Sequence, residues 1–250
     1  MSHDIELKLL YEIEELKRKV NSLEGNIEQT IPTYQYSKIR DSDLKTLVDI
    51  EKNLDNSIFN AWFNCSIEIE DSISFFLNNL IEDNKVLIDS YNEEDLKINF
   101  IVPILNKIRF KSFERKMRDF YESQLTYKTD KFILNGTIDF VVSEGLVESK
   151  KPYFFIQEFK RSEEYGNPRP QLLAELISAV ELNQWRFIKG AYIIGGNWHF
   201  AVLEKLDVNK YQYFISQNFD ATKLEDLKLI YKNLLFVKHE IITMIESSQS

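Results

Sequence analysis

The fold of this chain is decided by two short segments, Gly136-Thr137-Ile138-Asp139-Phe140 and Phe154-Phe155-Ile156-Gln157-Glu158-Phe159-Lys160. Each segment places an acidic residue at or near the end of an apolar run whose residue types favour β-strands. Because side chains alternate between the two faces of a strand, Glu158 and Lys160 project to the same side. If the two strands pair, Asp139 joins them, and two carboxylates and one ammonium surround a single point.

The segments lie within an alternation of predicted strands and helices that begins near residue 91. The predicted elements are, in chain order, a helix over 92–108 that bends at Pro103, strands at 123–127, 132–142 and 153–159, a helix over 171–183, strands at 191–194 and 198–203, a further strand at 211–215, and a closing helix over 224–245. This order predicts an α/β fold with a mixed central sheet flanked by helices.

The first 30 residues form a separate predicted region with a heptad pattern. Its apolar residues recur every four or three positions, at Leu9, Ile13, Leu16, Val20, Leu23 and Ile27. This seam favours a short coiled coil that joins two copies of the chain, and an amphipathic helix packed on its own domain explains it equally well. Residues 31–90 follow with a helical pattern, so the predicted regions are 1–30, 31–90 and 91–250.

The composition excludes several classes of protein. With 31 basic and 40 acidic residues, the formal net charge of −9 argues against a protein that coats nucleic acid by bulk electrostatics. Cys65 is the only cysteine, which excludes an internal disulfide and a four-cysteine zinc site. The sequence shows neither a signal peptide nor an apolar stretch of about 18 residues. We therefore expect a soluble, cytoplasmic protein that does not bind membranes.

The charged residues of the two opening segments form a candidate metal site. Mg²⁺ prefers hard oxygen ligands and keeps several waters, and Asp139, Glu158 and the carbonyl oxygen of Phe159 are ligands of this kind. A bound metal would lower the pKa of a water and stabilise charge on a phosphate. Lys160 would then orient the water, help to deprotonate it, or neutralise the oxyanion. The structural alternative is an ion pair of Glu158 with Lys160.

The acid-x-Lys pattern alone does not predict a site in this chain, because it recurs in helical patterns where residues two apart do not face each other. The other examples are Glu6-Leu7-Lys8, Glu15-Leu16-Lys17, Asp43-Leu44-Lys45, Asp95-Leu96-Lys97 and Asp226-Leu227-Lys228. Only Glu158-Phe159-Lys160 ends an apolar strand pattern, follows an Asp-bearing strand and precedes a helix. Its context therefore carries the prediction.

Taken together, these pieces resemble the PD-(D/E)XK nuclease superfamily, which has the restriction-endonuclease-like fold. The matching segments are 136–139, 157–160, 171–175 at the start of the next helix, and the hairpin at 194–200. The resemblance extends upstream to residues 92–105, which are similar to the first core helix in relatives of type I restriction-enzyme nuclease domains. It covers roughly residues 91–205.

The resemblance implies a nuclease that uses Mg²⁺ or Mn²⁺ to hydrolyse phosphodiester bonds in nucleic acid, DNA in preference to RNA. It implies that Asp139, Glu158 and Lys160 are catalytic and that Asp139 and Glu158 bind the metal. Dimerisation through the N-terminal helix would fit the family's habit of cutting two strands with two sites. A role in bacterial or phage defence follows by the same analogy.

The family also implies further site residues outside the two strands. An acid on the first core helix often completes the metal site, and Glu93 is the best match, with Glu94 and Asp95 as competitors. Gln171 is a further candidate catalytic residue that would position Lys160 or the phosphate, and it matches a helix glutamine that belongs to an exonuclease motif in some branches. That motif includes a downstream tyrosine, where this chain has Glu175.

Two other functions fit parts of the sequence. A nuclease-fold protein used for binding or assembly without cleavage, such as a catalytically silent nucleic-acid-binding or oligomerising adaptor, is favoured by the net acidity and the absence of a basic run. An adaptor that oligomerises through the heptad helix and recruits a partner enzyme would make residues 1–30 the main functional element.

Overall fold

The computed structural model describes residues 31–162 and 167–248, together with Glu15, Leu16 and Val20. The chain divides into two compact units, Met1–Pro32 and Thr33–Ser250. Apart from the three residues named, the predicted coiled coil over 1–30 lies outside the described residues. That coiled coil and the homodimer it would form stay predictions.

The second unit alternates strands and helices along the chain. Its strands are β1 (Thr33–Gln35), β2 (Asp49–Lys52), β3 (Met117–Lys128), β4 (Ile133–Glu144), β5 (Lys150–Lys160), β6 (Phe187–Ile194), β7 (Asn197–Asp207), β8 (Lys210–Ile215) and β9 (Phe219–Asp220). Its α-helices are α1 (Asp41–Leu47), α2 (Asn60–Phe63), α3 (Asp71–Asn84), α4 (Glu93–Leu96), α5 (Val102–Ile108), α6 (Pro168–Asn183) and α7 (Leu224–Ser248).

The strands form one mixed sheet in the order β1-β4-β5-β6-β7-β8-β2, with β3 also paired to β4 and β9 to β7. The pairs β1–β4, β2–β8 and β5–β6 are parallel. The pairs β3–β4, β4–β5, β6–β7 and β7–β8 are antiparallel. The predicted mixed central sheet flanked by helices is therefore confirmed.

The region 31–90 differs from its predicted helical character, because it also supplies two strands. β1 pairs in parallel with the start of β4, and β2 pairs in parallel with β8. Gly136 permits the first of these contacts: its φ is +149°, and a Cβ there would lie 2.9 Å from Cδ2 of Tyr36, which follows β1. Each pairing joins residues far apart in sequence, so neither pairing could be predicted from the local pattern of apolar residues.

Helices cover both faces of the sheet. Helix α6 packs on β5 and β6 through Leu172, Leu176 and Val180. It starts where Asn167 accepts a hydrogen bond from the backbone N–H of Arg169, with proline at the first helical position. The opposite face is covered by α3, α5 and α7, and these helices enclose an aromatic-rich core with the sheet. None of the helices among the described residues has the length and apolar character needed to cross a membrane.

The helical segment over residues 93–108, called the first core helix below, is irregular just before the bend predicted at Pro103. Asn92 accepts a hydrogen bond from the backbone N–H of Asp95, which confirms the predicted N-cap. Residues Lys97–Ile101 then form a π-helical turn between α4 and α5, and Pro103 lies in the first turn of α5. Because a π-helical turn holds an extra residue, it changes which side chains face the sheet.

Candidate active site

Asp139 lies where β4 and β5 separate. The last paired residues of the two strands at this end are Phe140 and Gln157. Beyond them, Oδ2 of Asp139 accepts a hydrogen bond of 2.8 Å from the backbone N–H of Phe159. The bond holds the largely buried carboxylate of Asp139 against the end of β5.

Lys160 gathers the oxygen atoms around this point. Its Nζ donates hydrogen bonds of 2.8 Å to Oε1 of Glu158 and to the carbonyl oxygen of Phe159. The same Nζ lies 3.6 Å from Oε1 of Glu93 on the first core helix. The competing acid Glu94 instead lies 3.5 Å from Nζ of Lys97. The structure thus brings Glu93 to Lys160, next to the residues of the two strands.

Glu158 is fully buried among other acids. Its Oε2 has no hydrogen-bond partner in the described part of the chain. Burial, together with the nearby Glu175 and Asp139, holds the pKa of Glu158 well above its usual range, and the contact with Lys160 opposes this only in part. A buried carboxylate with a free oxygen and acidic neighbours is unfavourable unless a cation or proton compensates it.

Gln171 contacts a second buried acid. Its Nε2 donates a hydrogen bond of 3.1 Å to Oε1 of Glu175, one turn further along α6. Glu175 is fully buried, and burial is the main cause that raises its pKa well above the usual range. The structure thus places the amide of Gln171 against Glu175.

The side chain of Lys160 stays protonated and positively charged. Burial by itself would lower the pKa of this ammonium, but the carboxylates of Glu158, Asp139 and Glu93 outweigh burial and raise the pKa above its ordinary value. A lysine in this state donates hydrogen bonds and neutralises negative charge. In this arrangement it is suited to orienting a water or stabilising an oxyanion, and it is a poor base.

The donor set fits a hard divalent cation in ligand type. Among the described residues, no group of three or more His, Cys, Asp and Glu side chains is arranged to hold a metal ion. Mg²⁺, however, is commonly bound through one or two carboxylates and completes its shell with waters and substrate oxygens. Asp139, Glu158 and the Phe159 carbonyl supply such ligands, and two of these oxygen donors already converge on the ammonium of Lys160.

Lys97 is a member of this cluster that the sequence pattern did not predict. Its Nζ lies 3.8 Å from Oδ1 of Asp139 and donates a 2.6 Å hydrogen bond to Oε1 of Glu122. In the sequence, Asp95-Leu96-Lys97 is one of the helical examples of acid-x-Lys that carry no signal. The π-helical turn that places Lys97 here has no counterpart in the 3.6-residue apolar pattern.

Comparison of the chain with protein-family models gives no match, and comparison with curated proteins gives none either. The assignment of a function therefore depends on the chemistry of the residues that converge where β4 and β5 separate, together with the resemblance of their motifs.

Proposed function

We propose that this protein is a metal-dependent nuclease with a restriction-endonuclease-like core that hydrolyses phosphodiester bonds in DNA. The proposal is carried by one observation: Asp139, Glu158 and Lys160 converge where β4 and β5 separate. The three residues come from two strands, and each is held by a defined hydrogen bond. These are the residue types that the PD-(D/E)XK motif requires.

The surroundings of Glu158 favour this function over a purely structural ion pair. A structural pair with Lys160 would be most stable with apolar or neutral neighbours, yet burial, Glu175 and Asp139 all disfavour the ionised Glu158. Acids gathered in this way weaken a fold and strengthen a cation site. Strongly perturbed carboxyl groups of this kind are typical of functional sites.

The roles follow from the contacts. Asp139, Glu158 and the Phe159 carbonyl would hold Mg²⁺ or Mn²⁺, with Glu93 as a further carboxylate at the edge of the site. The metal supplies a water of lowered pKa and stabilises negative charge on the phosphate. Lys160 presents its ammonium to the oxygen atoms of the reacting phosphate. Gln171, on α6, would support the site indirectly, through the hydrogen bond that it donates to Glu175.

The substrate and assembly belong to the same proposal. The family resemblance supports DNA in preference to RNA and a role in bacterial or phage defence. A homodimer formed through residues 1–30 would supply two active sites for the two strands of a duplex. The heptad seam in the sequence supports this dimer.

A cleavage assay tests the proposed function. Wild type, Asp139→Asn and Lys160→Met are incubated with labelled double-stranded DNA, single-stranded DNA and RNA, in Mg²⁺, Mn²⁺ or EDTA. We expect cleavage of DNA by the wild type that needs the metal, and a loss of about a thousandfold in both variants. Glu144→Gln and Lys150→Met are matched controls, because these exposed residues lie at the opposite ends of β4 and β5.

Equal rates in the wild type and both site variants would refute the assigned centre. Binding of nucleic acid by the wild type without metal-dependent cleavage would indicate the alternative function, a nuclease-fold protein that binds without cutting.

A further inference from the structure

Lys97 forms a second cationic position beside the proposed centre. Its Nζ lies 2.6 Å from Glu122, 3.5 Å from Glu94 and 3.8 Å from Asp139, and its side chain is only 8% exposed. The ammonium also lies 5.9 Å from the ring centroid of Phe159. Lys97 thus contacts a residue of each site strand, Asp139 on β4 and Phe159 on β5, although it comes from the first core helix.

Two local irregularities of the backbone create this position. Lys97 is the first residue of the π-helical turn. Glu122 has a φ of +50° inside strand β3, and it lies opposite Asp139, because the residues on either side pair as Tyr121 with Phe140 and Ser123 with Ile138. Non-glycine residues with a left-handed backbone are strained, and such residues cluster at functional sites. π-helical turns are also frequent at functional sites.

Lys97 is much more buried than two of its acidic partners. The ammonium is buried, but the side chains of Glu122 and Glu94 are 58% and 69% exposed. Burial would lower the pKa of Lys97, yet Glu122, Asp139 and Glu94 outweigh it and raise the pKa, so the group stays charged. An exposed carboxylate can leave such an ammonium at low cost when another anion takes its place.

We propose that Lys97 binds a backbone phosphate of the DNA next to the scissile bond, and that the Glu122 carboxylate occupies the position of this phosphate in the free protein. The inference rests on the proposed nuclease function, because it takes DNA as the substrate. Carboxylate and phosphate oxygens accept hydrogen bonds from an ammonium at similar distances, so one can replace the other. The short distance from Lys97 to Asp139 places this phosphate beside the metal ligands.

The test measures binding in the absence of cleavage. Fluorescence anisotropy follows a labelled DNA duplex of mixed sequence, with Ca²⁺ as a cation that oxygen ligands also bind, and gels establish that the DNA stays intact. Titrations are repeated between about 50 and 200 mM KCl. The variants are Lys97→Met, Lys97→Arg and Glu122→Gln. Lys150→Met and Glu148→Gln are matched controls for the same changes of charge, because both residues are exposed: Lys150 begins β5 at its far end, and Glu148 lies in the loop before it.

Opposite effects are expected from the two partners of one ion pair. Lys97→Met should weaken binding about tenfold and lower the slope of log Kd against log salt by about 1, because one phosphate contact is lost. Lys97→Arg should keep the slope. Glu122→Gln should tighten binding severalfold, because the phosphate no longer competes with a carboxylate. The controls change the charge equally and should have much smaller effects.

A structural ion pair would give a different result. If Lys97→Met and Glu122→Gln both weaken binding, or if neither exceeds its control, the inference is overturned. Because Glu122 is exposed, Glu122→Gln decides the question even if Lys97→Met does not fold. Wild type that cleaves DNA while these variants match their controls would overturn this inference alone. If the wild type does not cleave DNA and the variants still shift binding as expected, the nuclease function is overturned and Lys97 is a contact to a DNA phosphate without a scissile bond.

Discussion

The two faces of strand β5 both bury polar side chains, but they surround them differently. On one face, the carboxylate of Glu158 contacts the ammonium of Lys160 and lies near Glu175 and Asp139. On the other face, Gln157 is fully buried, and neither its Oε1 nor its Nε2 has a hydrogen-bond partner within the described ranges 31–162 and 167–248.

The neighbours of Gln157 explain the contrast. Across the sheet it pairs with Phe140 on β4 and Ala191 on β6, which both belong to the buried apolar core. Its amide lies between these apolar neighbours, whereas Glu158 belongs to a group of charges contributed by separate elements. Burial of a polar residue is therefore not what identifies a site; the convergence of several ionisable groups is.

The largest expected effect is a difference in DNA cleavage between variants of the adjacent residues Glu158 and Gln157. Glu158→Gln removes a proposed metal ligand while keeping the shape of the side chain, and we expect cleavage to fall about a thousandfold. Gln157→Met, on the opposite face, should cleave like the wild type. Single-turnover rates at saturating Mg²⁺ measure both variants. Similar losses in the two variants would show that the two faces of β5 do not differ in function.

The next effect concerns pH and the buried acids. In the metal-free folded protein, burial raises the pKa of Glu158 and Glu175 above the ordinary 4.5. The folded state then keeps protons that the unfolded chain releases, so the free energy of unfolding should fall as the pH rises above about 4.5. Mg²⁺ should reverse the fall, because it binds the ionised carboxylates.

Urea denaturation in EDTA between about pH 5 and 8 measures this dependence. Each acid contributes at most one proton to the slope, so Glu175→Gln should make the fall shallower. Glu144→Gln, which changes an exposed acid, should leave it unaltered. Parallel curves for the wild type and Glu175→Gln would show that Glu175 does not hold a proton in the folded state.

The same contrast shows which features of the fold and the site could be predicted from the sequence. The period of two along an apolar strand predicted that Glu158 and Lys160 share a face, and the order of elements predicted the mixed sheet with its flanking helices. Both predictions use local patterns, in which each residue's direction follows from its neighbours in the chain. The structure places Asp139, Glu158, Lys160 and Glu93 together, as expected, and their catalytic role stays a prediction.

The residues that the sequence did not reveal depend on irregular or distant structure. Lys97, which lies close to Asp139, begins a π-helical turn that changes the phase of the first core helix. β1 and β2 exist through parallel pairing with strands about 100 and 160 residues further along the chain. No apolar periodicity encodes an inserted helical residue or a partner at that separation.

The smallest expected effect tests the apolar face through stability. Gln157→Met replaces a buried amide that has no hydrogen-bond partner among the residues that the structure describes with a side chain of similar length, so we expect the free energy of unfolding to rise by about 1 kcal/mol. Gln124→Met is the matched control, because Gln124 is exposed and donates a 2.6 Å hydrogen bond to Thr137; its loss should lower stability slightly. Urea denaturation measures both. A drop in stability for Gln157→Met would mean that its amide finds partners such as buried water, and that this face of β5 also holds its polar side chain by specific contacts.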